Sequence, residues 1–437
     1  MANSPSDNKN TIGYWSVVAI GIGGMVGGGI FAVLGLAVEL ARGGTPIAFA
    51  IAGVVAMFTA YSYSRLSATY ISRGGTVGFL NRAFGTGIFS GGLNILLWLS
   101  YVIMLSLYAY AFGSYGASFF PEASQLIWKH VLISAAIILF TCLNILGAKA
   151  VARSENYIVA FKIIILLVFL VVGFFSINMQ QLQPDTWTGT LELIAGGMII
   201  FVAYEGFELI ANTSGNVRNP KKILPLAYYT AVGFVIILYV LIAAVTVGNL
   251  PVKDIITAQD YALAAAAKPF LGSVGFTMIA VAALLSTGSA INATLYGSAR
   301  ISYVIAKDGE LPAQLEQKIW KKPIEGLLIT SVLTLLVANL FDLSSISTMG
   351  SSGFLLIFAV VNIANARLAT HTHSKKWLSI CGAVLCLGAF VMLVVQRAMK
   401  APEELIVLAG MLVLAFAIEI IYRKVTGRTI QQIHKEI

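Results

Sequence analysis

The chain has 437 residues, of which 58% are hydrophobic and 11% charged, and it carries a formal net charge of +9. A soluble domain carries about 25% charged residues, and no soluble fold of this length has interior enough for so much apolar side chain. The positive charge does not point to nucleic acid, because the basic residues fall in short clusters between apolar runs, as in the loops of a membrane protein.

In chain order, the first ten residues are polar, with no apolar stretch and cleavage site of the kind that marks a removed leader. Crossing a bilayer core of ~30 Å takes about 20 apolar residues. On that criterion twelve spans are predicted: 12–40, 45–65, 87–118, 129–147, 154–176, 192–214, 225–247, 271–303, 325–341, 346–367, 376–396 and 403–422. The whole of 1–437 reads as one integral-membrane, all-α domain. An even number of spans places both termini on one side. With that side cytoplasmic, 21 of the 28 lysines and arginines fall inside and 6 outside, leaving Lys162 within a span. Lysine and arginine bias sets orientation, so cytoplasmic termini and a multi-pass protein of the cell membrane are expected. Between spans, 75–85 (GTVGFLNRAFG) reads equally as a short interfacial helix or a solvated loop, and a helix is expected over 313–320.

The first span contains GGMVGGGIF (23–31), with five glycines among the seven residues from Gly23 to Gly29. Glycine inside a helix costs about 1 kcal/mol relative to alanine, so a break near mid-span is expected. Non-helical backbone at membrane depth persists only where protein buries it or it lines a cavity. The sixth span reads Ala203-Tyr204-Glu205-Gly206-Phe207-Glu208 at its centre, where a carboxylate is costly and marks function. Interruptions at corresponding places in two halves are the best sequence pointer to a transporter's site. Here five spans begin with each interruption, the spacing of a five-plus-five inverted repeat. Close helix packing through small residues accounts for one glycine cluster, but not for acids beside a matching glycine five spans later. Half-helices starting after a break offer N–H groups and a partial positive charge, and those ending before it offer carbonyls. A zwitterionic α-amino acid matches both. Phosphate or sugar would call for arginine clusters or many amides, which the central spans lack.

Other polar residues carry weaker signals. Ser286, Ser289 and Asn292 share one helix face, which either meets span one or bonds its own carbonyls. Trp98, Tyr101 and Tyr108 of span three either line the site or pack. Cys142, Cys381 and Cys386 lie in apolar segments and read as ordinary packed thiols, with no disulfide. His130, His371, His373 and His434 lie at span ends or in loops, so neither a metal site nor a catalytic set is expected. The chain is therefore not expected to be an enzyme or to need a cofactor.

These segments also carry a family resemblance. GGMVGGGIF, AYEGFE with the following NVRNPKKILP (216–225), and AKDGELP (306–312) resemble the amino acid–polyamine–organocation superfamily, which has the LeuT fold. Within it, SENYIVAFKIIIL (154–166) and LLSTGSAINAT (284–294) are most similar to the proton-coupled ApcT-type permeases. The resemblance implies twelve transmembrane helices: repeats over 11–176 and 192–367 with discontinuous helices one and six, and two peripheral helices over 376–422. It implies substrate held at Val26, Gly27, Gly28, Gly29 and Ile30 and at Ala203, Tyr204, Glu205, Gly206 and Phe207, with Tyr101 beside them. Lys162 matches the lysine whose amine takes a sodium position of sodium-coupled relatives, near Gly23 and Ser286. Glu205 departs from the pattern, since an apolar or aromatic residue is expected there. It would favour cationic substrates or add a proton site.

The expected activity is sodium-independent proton/amino-acid symport by alternating access. Its partners would be a small-molecule amino-acid substrate, protons and the bilayer, with no nucleic acid; the oligomeric state is not legible. An amino-acid or polyamine exchanger and an amino-acid-sensing receptor remain open. Lys162 lies nine residues past Arg153, ~13 Å inward along a helix, so it is poorly placed to snorkel. It either pairs with an acid such as Glu208 for packing, or cycles its proton, since desolvation disfavours the charged amine.

Overall fold

The computed structural model describes residues 12–71, 75–146, 149–307 and 324–426. Among them the backbone is helical almost throughout, and β-type pairing is confined to two isolated bridges, Ile12 with Val217 and Arg42 with Trp187. The helices are α1 (Tyr14–Met25), α2 (Gly29–Ala41), α3 (Thr45–Thr69), α4 (Gly75–Phe84), α5 (Ile88–Ala117), α6 (Glu122–Leu146) and α7 (Lys149–Phe174). They continue with α8 (Thr190–Ile199), α9 (Leu209–Thr213), α10 (Pro220–Asn249), α11 (Val252–Thr257), α12 (Ala262–Lys307), α13 (Ile324–Leu340), α14 (Leu343–Arg367), α15 (Ala369–Thr372), α16 (Lys376–Lys400) and α17 (Pro402–Thr426).

Helix occupies every apolar stretch expected from hydropathy. Among the described residues ten helical stretches are long and apolar enough to cross a membrane, α8–α9 counting as one, and the bent pair α1–α2 makes an eleventh. The remaining stretch is α13, an apolar helix of 17 residues. It is about 26 Å long at 1.5 Å per residue, just under a ~30 Å hydrocarbon core.

Burial sorts the helices into an inner and an outer set. α5 is buried along nearly all of its length. The outer helices turn large apolar side chains outward, for example Ile138, Leu139, Val171, Val384 and Val413. An apolar rim around a filled interior suits lipid as the surrounding medium, since monomeric proteins in water rarely expose contiguous apolar patches this large.

Three local departures from expectation have physical causes. Segment 75–84 is a helix, but Val77, Phe79 and Leu80 are buried, so α4 docks on the bundle rather than resting in an interface. Its start needs Gly75 at φ +49°, a left-handed conformation open to glycine. The eighth span, expected from 271, is preceded by helix from Ala262, with non-helical Gly272 (φ +63°) and Pro269 making the kink. The helix expected over 313–320 lies outside the described residues. The three cysteines form no disulfide, and buried Cys386 lies 3.3 Å from the Thr59 hydroxyl.

Spans one and six run side by side and are joined at both ends. At one end Ile12 N–H donates to the Asn216 carbonyl (2.9 Å) and Arg218 N–H to the Ile12 carbonyl (3.1 Å). At the other the Arg42–Trp187 bridge is accompanied by Gly43 N–H donating to the Thr186 carbonyl (3.4 Å).

Candidate transport site between two broken spans

α1 stops at Met25 and α2 starts at Gly29, with a 45° bend between them. The irregular backbone is thus Val26–Gly28, shorter than the expected Val26–Ile30, because Gly29 and Ile30 already belong to the first turn of α2. The first bond of that turn is Ala32 N–H to the Gly28 carbonyl (2.9 Å). The N–H groups of Gly29, Ile30 and Phe31 therefore have no acceptor within their own helix.

The carbonyls ending α1 are held by side chains from three other helices. Tyr239 Oη of α10 donates to the Met25 carbonyl (2.7 Å) and lies 3.2 Å from that of Ala203, touching both breaks. Ser286 Oγ of α12 donates to the Val26 carbonyl (2.7 Å) and is in contact with that of Gly27. Lys162 Nζ of α7, with its residue 1% exposed, donates to the Gly23 carbonyl (3.2 Å).

In span six, α8 ends at Ile199 and a 3₁₀ turn runs over Ile200–Tyr204. Ser351 Oγ of α14 accepts from Val202 N–H (3.0 Å) and donates to the Ile199 carbonyl (2.5 Å), bridging the change from α to 3₁₀. The break proper covers Glu205 to Glu208, with Gly206 at φ +114°, a conformation that L side chains rarely adopt. Glu208 Oε2 accepts from Gly206 N–H (2.8 Å), so this acid braces the break.

The two breaks touch, backbone to backbone. A Cβ on Gly24 would sit 2.7 Å from the Gly206 carbonyl oxygen, and one on Gly29 would sit 2.7 Å from Ala203 Cα. Close packing and helix interruption therefore act together here. A Cβ on Gly28 would strike the ring of Tyr108.

Of the three span-three aromatics, two reach the site. Tyr101 Oη donates to Glu208 Oε1 (3.1 Å) and Tyr108 Oη to Glu205 Oε2 (3.4 Å), seven residues apart on one face of α5. Trp98 turns away, its Nε1–H donating to Thr330 Oγ1 of α13 (3.1 Å). The Ser286–Asn292 face also divides, since Asn292 Oδ1 accepts from Asn144 of α6 (3.0 Å). Tyr204 donates to the Phe49 carbonyl (2.9 Å), and the Phe207 ring packs between Tyr63 and Phe358. At these two positions the side chain is committed to packing, and what faces the break is backbone.

Val26, Ile30, Ala203, Tyr204 and Phe207 are fully buried, and Glu205 is 2% exposed, so the structure is closed over the breaks. Tyr239 and Ser351 were not foreseen. Their only sequence signal is a hydroxyl in an apolar span, which many packed residues share. Among the described residues no group of three or more His, Cys, Asp or Glu could hold a metal ion.

Comparison with known proteins points to one family. Residues 12–417 match a family model described as amino acid permease. The chain is 36% identical over 416 residues to an uncharacterized protein of Methanocaldococcus jannaschii, covering 95% of this chain and 96% of that one. It is 34% identical to the inner membrane transport protein YbaT of Escherichia coli, covering 97% and 99% of the two chains. The branched-chain amino acid permease BcaP of Bacillus subtilis is 24% identical, with 82% and 80% covered. A multi-pass helical chain with two touching broken spans, matched from end to end in this way, belongs to the amino acid permease family of membrane transporters.

Proposed function

We propose that the protein is a sodium-independent proton/amino-acid symporter of the cell membrane, working by alternating access with both termini cytoplasmic. On this reading α13 is the short twelfth span. Residues 11–176 and 192–367 are then inverted repeats of five spans, and α16 and α17 are peripheral. The observation that carries the substrate reading is the pair of interruptions in backbone contact. The N–H groups opening α2, at Gly29, Ile30 and Phe31, lack acceptors within their own helix and suit a carboxylate. The carbonyls at the end of α1 are engaged by Tyr239, Ser286 and Lys162, which leaves the substrate ammonium to the backbone around Tyr204–Glu205 and to the Glu205 carboxylate. The site binds when the closed contacts separate: Tyr108 withdraws from Gly28, and Gly24 parts from Gly206.

Lys162 supports the proton reading. Its amine is buried beside the last turn of α1 and donates to the Gly23 carbonyl, three residues before the break. Protonated, it holds that carbonyl; on losing the proton its grip weakens, so protonation and the position of span one are linked. Purified protein in liposomes should accumulate amino acid under an inward proton gradient in sodium-free buffer. Lys162→Ala should abolish accumulation while the variant still elutes as folded protein and still exchanges bound substrate across the membrane. Sodium-dependent uptake by the wild type, or undiminished proton-driven uptake by the variant, would refute the mechanism. Uptake only into liposomes preloaded with substrate would identify an exchanger.

A further inference from the structure

The outer face of the bundle carries a groove of about 400 Å³ between the last turns of α14 and the first turns of α16. Its floor is made of small residues, Ala366 (9% exposed) and Ala383 (5%). Its walls are large and outward-facing: Ile363 on α14, and Ile380, Val384 and Leu387 on α16. A small-residue floor between tall apolar walls makes a channel along the helices rather than a flat surface. In a bilayer such a channel faces hydrocarbon.

Its two ends differ. One end is closed by two exposed cations, Arg367, the last residue of α14, and Lys376, the first of α16. Arg367 is fixed there by the Phe84 ring of α4, 5.1 Å from its guanidinium. The chain has no Asp or Glu between Asp342 and Glu403, so no acid from these two helices opposes an anion at that end. The first turn of α16 adds its own unpaired N–H groups. Trp377 is 60% exposed beside Lys376, and exposed tryptophan at a helix end marks the headgroup level of a membrane protein.

From Lys376 to Leu387 the groove runs eleven residues, about 16 Å at 1.5 Å per residue. That is roughly half of a ~30 Å hydrocarbon core, the depth of one leaflet. Headgroup-level cations, a leaflet-deep apolar channel and an absence of opposing acid fit a single class of occupant. We propose that this groove is a binding site for one anionic phospholipid, with an acyl chain between α14 and α16 and the headgroup phosphate on Arg367 and Lys376. Basic pockets between membrane helices bind anionic headgroups in this way. The site is remote from the broken spans and does not depend on what they transport.

The test uses the full-length protein in mild detergent, titrated with phosphatidylglycerol or phosphatidylcholine and followed by native mass spectrometry and thermal unfolding. Phosphatidylglycerol should be retained and raise the unfolding temperature, while phosphatidylcholine and soluble glycerol phosphate should not. Arg367→Gln/Lys376→Gln should weaken phosphatidylglycerol roughly 30-fold, the expectation for two surface cations. Val384→Trp, which fills the channel and keeps both cations, should weaken it too. Equal binding of the two lipids would overturn the proposal, as would full phosphatidylglycerol selectivity in Val384→Trp, which would mean surface charge alone. A concentration-dependent dimer lost in Val384→Trp, without lipid selectivity, would assign the groove to a second copy of the chain.

Discussion

Glu205 and Glu208 are three residues apart, and their surroundings give them different work. Glu208 is held by Gly206 N–H, inside the break it supports, and by Tyr101 of α5. Glu205 has the longer hydrogen bond, 3.4 Å from Tyr108, and on the proposed function it is the acid that answers a ligand. Glu205→Gln should therefore shift the ratio of cationic to neutral amino-acid uptake without loss of expression. Glu208→Gln should lower thermal stability whatever the substrate. An unchanged selectivity profile with full activity in Glu205→Gln would make that acid a bystander. Gly28 makes a second case. Any side chain there does more than fill space beside the break, because its Cβ would already strike Tyr108. Overpacking of this kind costs about 1–3 kcal/mol. Gly28→Ala should lower the unfolding temperature, and adding Tyr108→Ala should recover part of the loss in a double-mutant cycle. Strictly additive losses would mean that the ring and the glycine do not bear on each other. The sequence announced both positions through residue type, a run of glycines and acids where acids are costly. It could not announce which acid braces and which waits, because that depends on Tyr101 and Tyr108, about a hundred residues earlier.

At the scale of the elements, the breaks were legible and their fastening was not. Glycine runs and Gly206 act on their own backbone, so a local reading finds them. Tyr239 is 214 residues from Met25 and looks like any tyrosine in an apolar helix, yet its hydroxyl serves carbonyls from both broken spans. Tyr239→Phe should lower stability by about 1–3 kcal/mol, the cost of a buried acceptor left without its donor, read as a drop in unfolding temperature. It should also leave the two breaks less firmly registered, which substrate binding would report as weakened affinity. A stability and affinity equal to wild type would show that the hydroxyl is incidental. The bounds of α12 were missed for a related reason. Gly272 and Pro269 break the helix without breaking the apolar run, so hydropathy alone could not tell where one segment ends and the next begins. For α4 the choice between helix and loop turned on whether the bundle offered a surface for Val77, Phe79 and Leu80, and it does.

For the whole molecule, span positions were legible because hydropathy is a property of each stretch by itself, and a bilayer enforces it without help from tertiary contacts. The division into buried and lipid-facing helices was less so: α5 and α16 are both apolar, and only assembly decides that one is enclosed and the other exposed. Spans one and six also turn out to be tied at three levels, by the Ile12–Val217 bridge, by Gly24 against Gly206, and by the Arg42–Trp187 bridge. In the language of hydrogen exchange, three ties along two neighbouring spans make a single opening unit. The amides of Ile12 and Arg218 sit near chain ends and turns, where deuterium ordinarily enters at once, yet both are bonded across the pair. They should exchange slowly and at a rate shared with Gly43 at the opposite end, and substrate should change all three together. Ile12 exchanging fast while Gly43 stays protected would show instead that each end opens alone.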